Sequence, residues 1–535
     1  MMKPSKSRLT LALFATGYVL AICWVFTRST PLAPKRPVTV RIAHWQIEKG
    51  PPDGFDAVIR RYEELNPRVH VEQVAVPSAV YRLWLRSNLS GGMGTDLVEF
   101  GYFIGGVNDI PVRYFEPLTR LMGEPNPYNR GTPLATVPWR LTFADGLYFE
   151  LTQSPEIGQI YAATLSQGSM RLFCNRELLE KIAGLGTGAP KTLAAFRTLC
   201  AQTADYARRT GAVVHPLAGS LSNGQWIIDF TMMGSVSGMN LDLDREGYLA
   251  RAPRQAMTDY LLGRWNYRRP ELQAALALAR EMALQMKPGF AQLGRDDAVQ
   301  EFMRGEALFI FSGTYDATSL KKLAPFTVEA MRYPQPQADD PVIGRYIRGP
   351  FQDGTIATSM EIYLNKDSRH KDEAVDFLRF ITSQEGGQIF QEHSGWLTSV
   401  RGVPAPPELE IYRPTGEGYH TGIQYIGIGP NSTMKFWQHL HLLVGPQGSV
   451  DRFVDALEKD LPEAVTADLR LEVSGNLTAL RTVDSEIVAM SVLNRLQPLD
   501  ADRVKRQHTL ASSQTLSEAN GCESAWVLAR HGYQP

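Results

Sequence analysis

Residues 296–317 read DDAVQEFMRGEALFIFSGTYDA. Ala298, Phe302 and Met303 share one face of a short predicted helix, which Arg304 and Gly305 end. Leu308 to Phe311 is an unbroken apolar run, the pattern of a strand covered on both faces. Ser312-Gly313-Thr314 then stops the strand and presents one aromatic residue, Tyr315. In open α/β sheets, ligands bind just beyond the carboxyl ends of the strands. Tyr315 therefore reads either as a core aromatic closing a turn or as a ligand contact.

The same alternation starts much earlier in the chain. Val38, Val40 and Ile42 form a strand ending at His44-Trp45, and Pro51-Pro52-Asp53-Gly54 reads as a turn. Phe55, Val58, Ile59, Tyr62 and Leu65 recur at helical spacing, and Asn66-Pro67 ends that helix. A second strand at Val69–Val76, a helix at Ala79–Leu89 and a strand at Leu97–Phe100 follow. This β–α–β order predicts a parallel sheet with right-handed crossovers. The Gly-rich turn at Gly91–Asp96 lacks the lysine and hydroxyl residue of a phosphate loop.

The chain has 535 residues and a formal net charge of −1, so it is long enough for two lobes and shows no basic stripe for nucleic acid. Its four cysteines (Cys23, Cys174, Cys200 and Cys522) are at neither disulfide-framework nor metal spacing. His439-Leu440-His441 would put two histidines on one strand face if extended, without a third metal ligand. Lys3, Lys6 and Arg8 precede an apolar run from Leu9 to Phe26, close to the length that spans a bilayer. It reads as an uncleaved membrane anchor with the body outside, with cleavage or lipid attachment at Cys23 as alternatives. Ser29 to Pro37 reads as a semi-rigid linker.

Several segments together resemble extracellular solute-binding proteins of the sugar-binding kind that serve ABC importers. They are His44-Trp45, Asn66-Pro67-Arg68-Val69-His70-Val71, Gly94-Thr95-Asp96-Leu97-Val98, Met170 to Leu179, Pro190-Lys191-Thr192-Leu193, Leu364-Asn365-Lys366-Asp367-Ser368 running to Ser383, and Gln388 to Arg401. Residues 296–317 resemble another family segment, with Tyr315 where tryptophan is usual. The resemblance implies an α/β, two-lobed periplasmic-binding-protein-like fold (type II) with the solute in the cleft. To this the sequence adds an N-terminal membrane helix and a C-terminal helical extension. The expected divisions are an anchor and linker (1–37), lobe one (38–150 and 352–403), lobe two (151–351 and 404–475) and the extension (476–535). Crossings are expected near 145–150, near Arg348-Gly349-Pro350-Phe351, and after about Val403.

Solute capture needs aromatic surfaces for apolar sugar faces and carboxylates, amides or guanidiniums for hydroxyls. Loop position and the family segments single out His44, Trp45, Asp96, Trp226, Trp265, Tyr315 and Trp396, with Trp226 read as lying in a polar loop. The implied partners are a small solute such as a carbohydrate, ABC permease membrane subunits, and the membrane through the N-terminal helix. No cofactor is implied. A module feeding a sensor or envelope complex is the second reading. A carbohydrate-active hydrolase is the third, for which Asp96, Glu99 and Glu361 would have to supply an acid–base pair. In the tail, Leu477, Leu480, Val483, Ile487, Met490, Leu493 and Leu496 form a helical stripe, read as a helix packed on a lobe or as a docking element.

Overall fold

The computed structural model describes residues 36–92, 94–101, 109–147, 153–154, 159–244, 253–349, 357–415 and 428–532. Among them, nine strands build two sheets: β1 (Val38–His44), β2 (Val69–Ala75), β3 (Leu97–Glu99), β4 (Ala162–Gly168), β5 (Met170–Asn175), β6 (His215–Leu217), β7 (Ala307–Gly313), β8 (Val328–Met331) and β9 (Ala357–Leu364). A short ribbon pairs Gln153–Ser154 with Gln159–Ile160. The helices that position the cleft and the tail are α1 (Pro51–Leu65), α2 (Ser78–Ser90), α3 (Leu221–Ser235), α4 (Arg295–Met303), α5 (Gln384–Ser394), α6 (Val450–Leu496) and α7 (Ala501–Arg530).

The first sheet has the order β2-β1-β3-β9-β4. β1 runs parallel to β2 and β3, as the β–α–β pattern requires, and β9 is antiparallel to β3 and β4. Val40, Ile42, Phe55, Tyr62, Phe377 and Phe380 fill one core of this lobe, and Tyr81, Leu85, Val98, Phe115 and Tyr363 fill another. Pro51-Pro52-Asp53-Gly54 opens α1 rather than forming the expected turn. Proline suits that position because the N–H groups it lacks would be unbonded in the first helical turn anyway.

The second sheet has the order β8-β5-β7-β6, with β5 antiparallel to both neighbours and β6 parallel to β7. All seven residues of β7 are buried, as its unbroken apolar run predicts. Phe309 and Phe311 face one core with Leu172 and Phe196, while Ile310 faces another with Phe173 and Phe302.

The chain leaves the first sheet at Gly168 and enters the second at Met170. This is later than the expected crossing near 145–150, because β4 pairs with β9 from Gly168 opposite Ala357 to Ala162 opposite Tyr363. Buried Ser169, the one residue between, donates from its backbone to Thr314 Oγ1 at 3.2 Å and from its hydroxyl to the Tyr412 carbonyl at 2.7 Å. The return lies between Gly349 and Ala357, and its residues 350–356 fall outside the described residues. The last crossing follows Val400: Thr398 bridges to Ser166 in the first lobe, whereas Leu409 and Tyr412 lie in a core with Phe173 and Ile310.

The apolar run at 9–26 lies outside the described residues. Among the described residues, no helix is long and apolar enough to cross a membrane. The tail is helical, but the division expected at 475/476 falls inside α6, which is 47 residues long with Pro462 within it. His441 lies in the helix Leu440–Val444 and His439 is the turn residue before it, so the two histidines share no strand face; the His439 ring meets Asp460 at 3.1 Å.

Candidate ligand-binding cleft

On the first-lobe side, β1 and β3 deliver their carboxyl ends to the edge where β9 begins. Glu99, at the end of β3, is fully buried. Its carboxyl accepts hydrogen bonds from Gln46 Nε2 at 2.6 Å and the Trp45 backbone N–H at 3.1 Å. Burial nonetheless drives the carboxyl well above its ordinary range, and Glu361 and Glu48 add to the shift. Glu361 on β9 is also buried, and burial pushes its carboxyl up to about 8. Gly101 explains how that group fits: a Cβ there would lie 2.7 Å from Glu361 Oε2 and 3.0 Å from the Trp45 ring. Glu48, on the loop after β1, keeps a solvent-shielded Oε2 with no hydrogen-bond partner. Its carboxyl is raised by burial first, with Arg295 of the other lobe opposing the shift and Asp316 adding to it.

On the second-lobe side, β7 ends in Ser312-Gly313, and the chain folds back so that the Tyr315 ring covers Gly313. A Cβ on Gly313 would meet that ring at 2.0 Å, so only glycine permits this turn. Ser312 Oγ donates to Asp316 Oδ2 at 2.5 Å, and Asp316 pairs with Arg295 at the start of α4. The Arg295 guanidinium also lies over the Tyr315 ring, 5.2 Å from its centre. Arg295 Nε is shielded and unpartnered.

The helix α3 brings the second aromatic. Ser220 caps it by accepting the Asn223 N–H at 3.2 Å, and Asn223 Nδ2 donates to the Phe311 carbonyl at 2.8 Å, fixing the helix start to β7. Trp226, Asp229 and Phe230 then share a face at helical spacing. The Trp226 and Tyr315 rings meet edge-on at 6.4 Å, and Phe230 meets Phe311 at 5.2 Å. Asp229 is half-buried, its Oδ1 is shielded without a partner, and burial pushes its carboxyl up to about 7.

The seven residues singled out from the sequence separate clearly. Trp226 and Tyr315 come together, and the Trp45 ring and Glu361 both lie against Gly101. Trp226 lies on a helix rather than in a loop, because the Ser220 cap starts α3 immediately before it. His44 is buried beneath this edge, stacked on Phe55 at 4.6 Å with its Nε2 3.1 Å from Gln73 Oε1. Burial lowers its pKa to about 4. Trp396 is buried in the first-lobe core with Phe390, and its Nε1 is unpartnered.

Two of the seven belong elsewhere. Asp96 precedes β3, at the opposite edge of the sheet from Gly101, and five residues of extended chain separate them by roughly 16 Å. Its carboxylate is used within the lobe, accepting the Arg41 N–H at 2.8 Å and the Ser368 hydroxyl at 2.6 Å. Trp265 sits in the second-lobe core between Tyr260 and Tyr267, and its Nε1 donates to the Ala256 carbonyl at 2.8 Å. The sequence reading missed Glu48, Asp229, Arg295 and Asp316 as site residues. Asp229 carried a signal, a lone acid inside the apolar run Trp226–Phe230.

A separate groove of about 460 Å³ lies on the outer rim between the lobes, lined by Asp53, Asp56, Arg60, Lys322, Glu392 and His393. Among these six residues the one aromatic ring is the His393 imidazole. Beside it, Thr318 Oγ1 donates to the Ser394 carbonyl of α5 at 3.0 Å, joining the two lobes directly.

The model for bacterial extracellular solute-binding proteins matches residues 112–413. No curated protein matches the sequence. Solved structures match the fold at low identity. One comes from work on xylan utilization by the thermophilic bacterium Caldanaerobius polysaccharolyticus, with 15% identity, a TM-score of 0.54, and coverage of 79% of this chain and 99% of that one. The GacH receptor of Streptomyces glaucescens GLA.O, solved unliganded and with acarbose and an acarbose homologue, has 15% identity, a TM-score of 0.54, and coverage of 81% and 99%. A chitin oligosaccharide binding protein has 17% identity, a TM-score of 0.52, and coverage of 80% and 98%. With the family match spanning more than half of its length, the chain belongs to the bacterial extracellular solute-binding proteins.

Proposed function

We propose that this protein captures a carbohydrate between its two lobes, outside the cytoplasm, and delivers it to an ABC-type import permease. The observation that carries this reading is the Trp226–Tyr315 pair, flanked by three shielded, unpartnered polar atoms: Glu48 Oε2, Asp229 Oδ1 and Arg295 Nε. A buried polar atom without a partner is costly, and a bound polar group removes that cost. A sugar hydroxyl is suited to the task because it donates and accepts at once, so it can bond Arg295 and a carboxylate together. The aromatic rings take the apolar faces of the sugar. The chitin oligosaccharide binding protein and the acarbose-bound GacH receptor are consistent with this class of ligand.

In this reading Trp45, Glu48, Asp229, Arg295, Tyr315 and Trp226 contact the solute, and His44 and Trp396 support the walls. The lobes turn about the crossings at Ser169 and after Val400. The N-terminal apolar segment holds the protein at the outer face of the inner membrane. Glycoside hydrolysis fits less well. It needs one ionised and one protonated carboxyl near neutral pH, whereas burial raises both Glu99 and Glu361. Titration calorimetry with a panel of oligosaccharides tests the assignment. Heat with at least one glycan is expected, and heat only with amines or anions would reject it.

A further inference from the structure

The C-terminal hairpin of α6 and α7 belongs to the cores of both lobes. At its base, Phe453, Val454, Leu457, Leu461, Val465 and Leu469 of α6 lie in the second-lobe core, with Val527 and Leu528 of α7 beside them. Polar contacts fix the same end: Tyr260 Oη donates to Glu458 at 2.8 Å, Arg254 pairs with Glu523 at 2.7 Å, and His531 Nε2 lies 2.9 Å from the Leu261 carbonyl. At its far end, Val483, Met490 and Leu510 are buried with Tyr81, Leu85, Tyr161 and Tyr363 of the first lobe. Burial raises the Tyr161 hydroxyl to about 12, and after burial the hairpin's Glu486 and Arg506, which pair with each other, act on it more strongly than Glu116 does.

One continuous helix therefore connects the two cores outside the three crossings. From Leu469 to Val483 it covers fourteen residues, roughly 21 Å at the helical rise. Within this span lies Gly475, whose Cβ position has nothing within 4 Å. Gly521 of α7 stands at the same level, with Asn476 Nδ2 3.3 Å from its Cβ position, and Asn476 Nδ2 donates to the Ser517 carbonyl at 2.9 Å. Gly475 thus puts a residue of low helix propensity between the anchors of α6, where bending costs least, whereas Gly521 lies between Asn520 and Glu523, both of which bond Arg254 of the second lobe.

We propose that the α6–α7 hairpin is a tether that sets how far the lobes can separate, with Gly475 as its flexure. Opening the cleft beyond that limit must draw Val483, Met490 and Leu510 out of the first-lobe core. The hairpin thereby favours one aperture, and solute enters and leaves through a restricted hinge motion rather than a free one.

Spin labels on the full chain test this without any ligand, so the outcome is independent of the carbohydrate reading. Labels go on exposed Glu64→Cys in the first lobe and Arg209→Cys in the second, with Cys23→Ser and exposed Cys522→Ser to avoid further labels. The intact hairpin should give one narrow distance distribution. Met490→Asp with Leu510→Asp should at least double its width, while Leu496→Asp, on the exposed face, should leave it narrow. If the double variant loses its fold, flexible Gly-Ser insertions after Gly475 and after exposed Thr515 break the mechanical connection and keep both anchors, with the same broadening expected. An intact chain already spread over open and closed distances would overturn the proposal. So would a folded variant as narrow as the parent.

Discussion

Glu361 offers a test of the cleft edge that requires no ligand. In the unfolded chain its carboxyl loses its proton near its ordinary value of 4.5, whereas in the fold burial holds the proton up to about 8. Between those values the folded state binds one proton more than the unfolded state, so stability falls as pH rises. The contribution is fully present below 4.5 and is lost through 8. Each pH unit in the window is worth roughly 1.4 kcal/mol. From pH 5 to pH 8 the loss is on the order of 3–4 kcal/mol. Glu361→Gln keeps the shape and removes the titration. Urea unfolding of both proteins at pH 5, 6, 7 and 8 should show the parent losing stability relative to the variant by about that amount. Asp229 titrates in the same direction and His44 in the opposite one, but both are present in each protein and cancel in the difference. Parallel stability curves would show that water reaches Glu361 freely, and the account of a desolvated edge behind Trp45 would fail.

Other consequences concern the separation of cleft from core. Tyr315→Ala should weaken saccharide binding by about 1–3 kcal/mol, by analogy with aromatic stacking on bases; calorimetry showing unchanged affinity would return Tyr315 to a core role. Trp265→Ala removes a buried side chain and should cost about 3–5 kcal/mol of unfolding free energy without changing the affinity of the folded protein. Asp96→Ala strips acceptors from the Arg41 N–H and the Ser368 hydroxyl, and should lower stability by about 1–3 kcal/mol. Its saccharide titration should match the parent, and a loss of affinity would place Asp96 at the cleft after all.

Much of the local structure was legible in the sequence. The period-two pattern of Val38–Ile42, the helical spacing from Phe55 to Leu65 and the unbroken run Leu308–Phe311 each mark the element that forms. Thr192 caps the helix Leu193–Thr210, accepting the Ala195 N–H at 3.2 Å. Such features depend on backbone sterics and side-chain periodicity over a few residues, and those travel with the chain.

The site depended on longer-range choices. Asp96 and Glu99 are three residues apart, yet they serve opposite edges of one sheet, because the direction of β3 is set by its pairing with β1, more than fifty residues away in sequence. Trp226 meets Tyr315 because Asn223 is tied to the Phe311 carbonyl, and Trp265 does not because its Nε1 is tied inside the second-lobe core. Glu361 comes beside Gly101 only because β9 returns to lie against β3. The tail shows the same division: its helical stripe was plain, but nothing local determines that Val483 and Met490 meet one lobe while Leu469 meets the other. Local sequence determines what each segment becomes. Which face and which edge it presents is decided by strands and helices far apart in the chain, whose pairing buries the most apolar surface with the fewest unpartnered polar groups.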